Sequence, residues 1–155
     1  MKVLLHLVCI VLFVAFTTAS ILEDFIADEI ENDELFLEKR APCPTITFPC
    51  GRGTVMPNVC QNMRTAIAKG HPTRLHRITD SKAIAKNRRD SGCTRMRKTP
   101  GNNCDEYPFA SSREGGAGAE IKLVPSRENS KQGGLLGAFY RKHKIGNGGC
   151  YNVRV

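Results

Sequence analysis

The sequence predicts a small single α+β domain over residues 41–155, stapled by disulfides, and three observations carry that reading. Short β-branched or alternating stretches are interleaved with helical periodicities. The 7 cysteines fall to six once Cys9 in the apolar leader is set aside, leaving Cys43, Cys50, Cys60, Cys93, Cys104 and Cys150. With no Trp and only a modest apolar fraction, one small core is all the chain can bury, so covalent staples are expected to offset it.

The elements follow in order. Lys2, the apolar run Leu4 to Phe16 and the small residues Thr18-Ala19-Ser20 read as a secretory signal over residues 1–20. That run is shorter than the roughly 20 residues that span a bilayer, so no stable membrane insertion is expected. Residues 21–40 carry 8 acids against Lys39 and Arg40, a net charge of 2 − 8 = −6. They end in a dibasic pair of the kind cut by secretory convertases and are read as an acidic propeptide. An acidic helix that stays attached, with Phe25, Ile26, Ile30, Leu35 and Leu37 on one face, is the alternative.

Thr45 to Phe48 is expected as a strand between Pro44 and Pro49. Asn58 to Lys69 fits a helix, with Asn58 as N-cap and Gly70 as stop. A second strand is expected at Leu75 to Thr79, then a helix through Ala83 to Lys86 capped by Asp80 or Ser81, then a basic loop from Thr94 to Asn103. Asp105 to Ala110 and Glu120 to Val124 read as two strands about a Gly-rich turn. Ser126 is the expected N-cap of a following helix with Leu135, Leu136 and Phe139 on its apolar face, which Gly133 and Gly134 are expected to weaken or break. Cys150 to Val155 reads as a last strand.

Removing residues 1–40 leaves 20 Lys and Arg (23 less Lys2, Lys39 and Arg40) and 7 acids (15 less 8), a net charge of +13 against +8 for the whole chain. Such a field favours polyanions, above all a nucleic-acid backbone, and the acidic propeptide is expected to cover the basic face as an inhibitor until it is cut off. The six cysteines predict three disulfides with the pairing left open, because no CxxC pair occurs and the histidines lack zinc-finger spacing.

Acids are scarce after residue 40, and five of the seven, Asp105, Glu106, Glu114, Glu120 and Glu128, lie between Cys104 and Gly134. A helix start beside a hairpin can gather carboxylate and amide oxygens from Asp105, Glu106, Glu128 and Asn129, the donors that hard divalent cations such as Mg or Mn take. Surface carboxylates with an Asn near a helix start are the plainer reading of the same residues.

The segments DEYPFAS, EGG, VPSREN and QGG, with TITF, CQNMRTAIAKGHP and Asn87-Arg88-Arg89 upstream, resemble the NucA/NucB family of secreted deoxyribonucleases over nearly all of residues 44–155. The resemblance implies a metal-dependent endonuclease with a compact ββα-metal core related to the His-Me finger. It implies Asp105 as the acid that orients or deprotonates the attacking water, where other ββα-metal nucleases use a histidine. Glu128 is implied as the chief metal ligand, with Asn129 ligating directly or through water and Gln132 beside them. Glu106 is expected to face away from Asp105, because neighbours on a strand alternate.

Ser111 in the turn and Arg88, Arg89, Arg113 and Lys131 are candidates for phosphate contact, against the plainer reading of turn and solvated surface. His71, His76 and His143 receive no catalytic role. DNA is the expected substrate, RNA being left open, and a monomer is expected. Two other functions fit part of the pattern. A cationic disulfide-rich toxin or antimicrobial would keep its activity under chelation, and a non-catalytic nucleic-acid-binding protein would bind without cutting.

Overall fold

Pro44 and Pro49 bracket the β-branched run Thr45–Thr47, and in the computed structural model, which describes residues 42–97 and 99–155, that run is strand β1. The expected signal (1–20) and propeptide (21–40) lie outside the described residues. β1 pairs in parallel with the C-terminal strand β5 (Cys150–Arg154), Ile46 opposite Val153. β2 (Arg74–His76) pairs antiparallel on the other side of β5, Leu75 opposite Tyr151. The sheet order is therefore β1-β5-β2, and the alternation of β5 turns Tyr151 and Val153 into the core.

Helix α1 (Pro57–Ala68) begins with Pro at its first position, where the missing N–H is not needed, and buries Val59, Cys60, Met63 and Ala66 at helical spacing. Its N-cap is Met56, with no side-chain cap bond. Asn58 lies inside the helix and is not the cap, because its side chain is drawn to an acid elsewhere. Helix α2 (Ser81–Asp90) follows β2, and Asp80 caps it as expected, accepting from the Lys82 N–H at 2.9 Å. A short 3-10 turn, Cys93–Arg95, interrupts the expected loop.

The second sheet is a hairpin of β3 (Asn102–Tyr107) and β4 (Glu120–Pro125), with Asp105 opposite Lys122 and Glu106 opposite Ile121. β3 lies three residues earlier than the Asp105 to Ala110 expectation. Pro108 has no N–H to extend the ladder beyond Tyr107, and the side chains of Tyr107 and Phe109 enter the core, their rings meeting edge to face at 5.2 Å. β4 runs into α3 (Ser126–Lys142) without a loop. Ser126 is the first helical residue and Pro125 takes the N-cap position; the Ser126 N–H donates to the Gly101 carbonyl at 2.8 Å, back at the start of β3. Gly133 and Gly134 do not break the helix, because Gln132, Leu136, Phe139 and Tyr140 anchor its inner face across them.

The connection between the hairpin strands is shaped by close backbone approach. Asn87 on α2 donates through Nδ2 to the carbonyls of Ala110 and Ser112, both at 3.0 Å. A Cβ on Gly115 would stand 2.3 Å from the Phe109 carbonyl oxygen, and one on Gly116 2.9 Å from Asn87 Oδ1, so the Gly-Gly pair lets the loop fold onto itself and onto α2.

Three disulfides close the framework. Cys43–Cys150 ties the approach to β1 onto β5, Cys50–Cys60 joins the exit of β1 to α1, and Cys93–Cys104 fastens the 3-10 turn to β3. Among the described residues no helix is long and apolar enough to cross a membrane. Because Cys43–Cys150 spans 107 residues and Cys93–Cys104 only 11, Ser replacement of the first pair should cost about 4 to 5 kcal/mol and of the second about 3 kcal/mol. Urea unfolding of the two double variants checks the order.

Candidate active site

β3 turns Asp105 inward, where only 2% of its surface remains exposed. Asn62 of α1 donates through Nδ2 to Asp105 Oδ2 at 3.0 Å and makes longer contacts, 3.4 Å each, to the carbonyls of Asp105 and Glu120. Burial pushes the Asp105 carboxyl from 3.8 up to about 6, against the lowering effect of Asn62 and Gln132 and with a smaller upward push from Glu106. Gln132 on α3 is itself buried, and its Nε2 has no direct hydrogen-bond partner among the described residues. A buried donor left without a partner is unfavourable, and Gln132 Nε2 is such a group among the described residues.

A pocket of about 230 Å³ opens beside Asp105. Asn129, Gln132, Gly133 and Leu136 form one wall at the i, i+3, i+4, i+7 spacing of a single face of α3. Asp105 and Glu106 of β3, Ser111 of the turn and Arg88 of α2 complete its polar lining. Six expected residues thus meet at one place, although they come from four parts of the chain. Glu106 sends its side chain away from that of Asp105, as strand alternation requires. Its carboxylate turns toward the end of α2, where Ser91 Oγ donates to it at 2.6 Å, yet it borders the pocket with Asp105. Burial raises its pKa, against the lowering effect of Ser91 and Arg88.

Glu128 has another engagement. It is 3% exposed, and both its oxygens face the start of α1: Oε2 accepts from the Asn58 and Val59 N–H groups at 2.8 and 3.2 Å, and Oε1 from Asn58 Nδ2 at 2.9 Å. The carboxylate satisfies amides that a helix N-terminus leaves unpaired and sits at the positive end of the helix dipole. It is absent from the pocket wall. Of the basic candidates, Arg88 lines the pocket, while Arg89, Arg113 and Lys131 are exposed elsewhere.

The histidines stay outside the pocket. His76 pairs with Glu114, Nδ1 to Oε1 at 2.6 Å, and the His143 ring lies 4.6 Å from that of Phe139.

Among the described residues no three His, Cys, Asp or Glu side chains gather into a cluster. The pocket instead offers the carboxylates of Asp105 and Glu106 and the amide oxygen of Asn129, hard donors without thiolate or imidazole. That set fits a cation of the magnesium kind, which takes one or two carboxylates and keeps several waters. Sequence reasoning gave no role to Asn62, Asn87 or Ser91, although Asn62 and Asn87 lie in segments that carry the family resemblance. Asn62 had a signal, since a polar residue stands in the apolar stripe of α1 beside Val59, Met63 and Ala66.

Two outcomes follow for stability. An acid whose pKa is higher in the folded than in the unfolded state holds its proton more tightly when folded, so stability falls as pH rises from about 4 through about 6. Asp105→Asn should therefore be more stable than the parent at pH 7.5 in chelator, by up to about 3 kcal/mol, with the difference vanishing near pH 4. Glu128→Ala should lose about 3 kcal/mol at pH 7.5 by stranding the amides of Asn58 and Val59. Urea denaturation across pH reads both.

Residues 63–154 match the sequence profile of the family described as Deoxyribonuclease NucA/NucB. A comparison with curated proteins finds no match. The matched span covers more than half of the chain and includes Asp105 on β3 as well as the pocket face of α3; the chain belongs to the deoxyribonuclease NucA/NucB family.

Proposed function

We propose that this protein is a secreted, divalent-cation-dependent endonuclease that hydrolyses phosphodiester bonds of DNA with little sequence preference. The observation that carries the reading is Asp105, a buried carboxylate without a cationic partner among the described residues, standing at a pocket lined also by Asn129, Gln132 and Arg88 within a strongly basic protein. The basic surface draws the DNA backbone in regardless of sequence, and Arg88 is the cation best sited to hold a phosphate at the pocket.

Asp105 accepts the proton as water attacks phosphorus and the bond to the leaving oxygen breaks. Gln132, whose side-chain amide acts on Asp105, favours the charged form of that carboxyl. Asn129 would hold the cation with Asp105 and Glu106 as neighbouring carboxylates. When bound, the cation supplies charge stabilisation at the phosphate and the leaving oxygen. Glu128 serves this arrangement from behind by fixing the first turn of α3 to α1.

Secretion fits the three disulfides, which persist in oxidising compartments. Cleavage after Arg40 releases the acidic segment and raises the net charge to +13, the arithmetic being 20 − 7 over residues 41–155.

Purified protein should nick supercoiled plasmid in Mg or Mn and stop on chelation. Asp105→Asn should lower the rate at least about 100-fold. Asn129→Ala should raise the cation concentration needed for half-maximal rate at least about 10-fold. Cutting that survives chelation would overturn the reading, as would an Asp105→Asn variant cutting at the parental rate. The uncut precursor should bind DNA more weakly than the processed form, and the gap should narrow as salt rises.

A further inference from the structure

The geometry points to Asn62 as the positioning residue for Asp105 in phosphodiester hydrolysis, an inference that rests on the role proposed for Asp105 as proton acceptor. Asn62 is 2% exposed and occupies a position on α1 that its neighbours fill with apolar groups. A buried amide there is unfavourable unless its hydrogen-bonding capacity is met. Its Nδ2 is directed wholly at the hairpin: Asp105 Oδ2 at 3.0 Å, then the carbonyls of Asp105 on β3 and Glu120 on β4 at 3.4 Å.

Three acceptors on two strands hold the amide in one orientation, and the amide in turn holds one carboxylate oxygen. Fixing Oδ2 fixes the rotation of the whole carboxylate, so the direction of the other oxygen is set as well. The choice of an amide has a chemical consequence. A guanidinium or ammonium in the same place would orient Asp105 equally well, but would cancel the negative charge that takes up a proton and would repel a cation in the pocket. Asn62 orients without neutralising.

The same helix repeats the device one turn earlier. Asn58, four residues before Asn62 and on the same face of α1, grips Glu128 through Nδ2 and through its main-chain N–H. α1 thus carries two amides, one locking the strand that bears Asp105 and the other locking the helix that bears Asn129. A purely structural tie between α1 and the hairpin would involve the carbonyls of Asp105 and Glu120; the shortest of the three contacts goes instead to the side-chain oxygen.

The test is a double-mutant cycle on plasmid cleavage, with thermal unfolding of each protein as the check on folding. Asn62→Ala in the otherwise unchanged protein should lower kcat about 10- to 100-fold while KM for DNA stays within about 3-fold. In the Asp105→Asn background the same replacement should cost no more than about 2-fold, because the group it positions is already gone. Asn62→Asp, which sets a second carboxylate against Asp105, should be slower than Asn62→Ala. If Asn62→Ala does not fold, Asn62→Ser, whose hydroxyl is too short to reach Oδ2, is read by the same cycle.

A folded Asn62→Ala or Asn62→Ser protein with kcat within about 2-fold of the parent overturns the positioning role, and so does an undiminished loss in the Asp105→Asn background. Either result leaves the nuclease reading intact so long as the parent cuts and Asp105→Asn does not. A parent that fails to cut, or an Asp105→Asn protein that cuts normally, overturns that reading and the role of Asn62 together.

Discussion

Two buried carboxylates without a cationic partner organise this fold. Asp105 and Glu128 are nearly inaccessible to solvent, yet the ion pairs of the described residues, Lys69 with Glu120 and Lys86 with Asp90, are elsewhere, and so is the contact of His76 with Glu114. Removing a carboxylate from water is strongly unfavourable unless other dipoles replace the solvent. Here the replacement comes from α1, through its unpaired N-terminal amides for Glu128 and through the Asn62 side chain for Asp105. Helix, hairpin and the first turn of α3 are thereby held in one mutual register, and the pocket lies where that register leaves a gap.

The electrostatic result is a basic protein with a negative recess. The outer charges act at long range, whereas Asp105 at the pocket has no ion-pair partner among the described residues and Glu106 feels only the charge of Arg88. A carboxylate tied to Arg or Lys would have made a more conventional buried pair, but its charge would already be spent within the protein. Amide ligation by Asn62 instead orients Asp105 without cancelling its charge.

Much of this was legible from local pattern. The helical periodicity of α1, the Asp80 cap and the strand, strand, helix order of β3, β4 and α3 all follow from residue spacing. The misplacements share a cause, since long-range contacts overrode local preference. Asn58 has the chemistry of an N-cap, but a carboxylate 70 residues away claims its side chain. Gly133 and Gly134 lower helix propensity, yet burial of Gln132, Leu136, Phe139 and Tyr140 carries α3 through them. The pocket residues were identifiable by type and neighbourhood, and Glu106 joined Asp105 at its edge although strand alternation sends their side chains different ways. Nothing in the spacing of Asn62, Asn87 and Ser91 tells which distant group each amide or hydroxyl meets, so these supporting residues appear only with the fold.

The absence of a loop between β4 and α3 matters beyond economy of chain. With Pro125 ending the strand and Ser126 starting the helix, and with the Ser126 N–H fastened to Gly101, the separation between the β3 carboxylate and the α3 amide is inherited from main-chain geometry. The outward residues of α3, Arg127, Ser130 and Lys131, are thereby freed from any part in setting that separation. Substitutions at these outward positions therefore change the charge that α3 shows to solvent and leave that separation as it is.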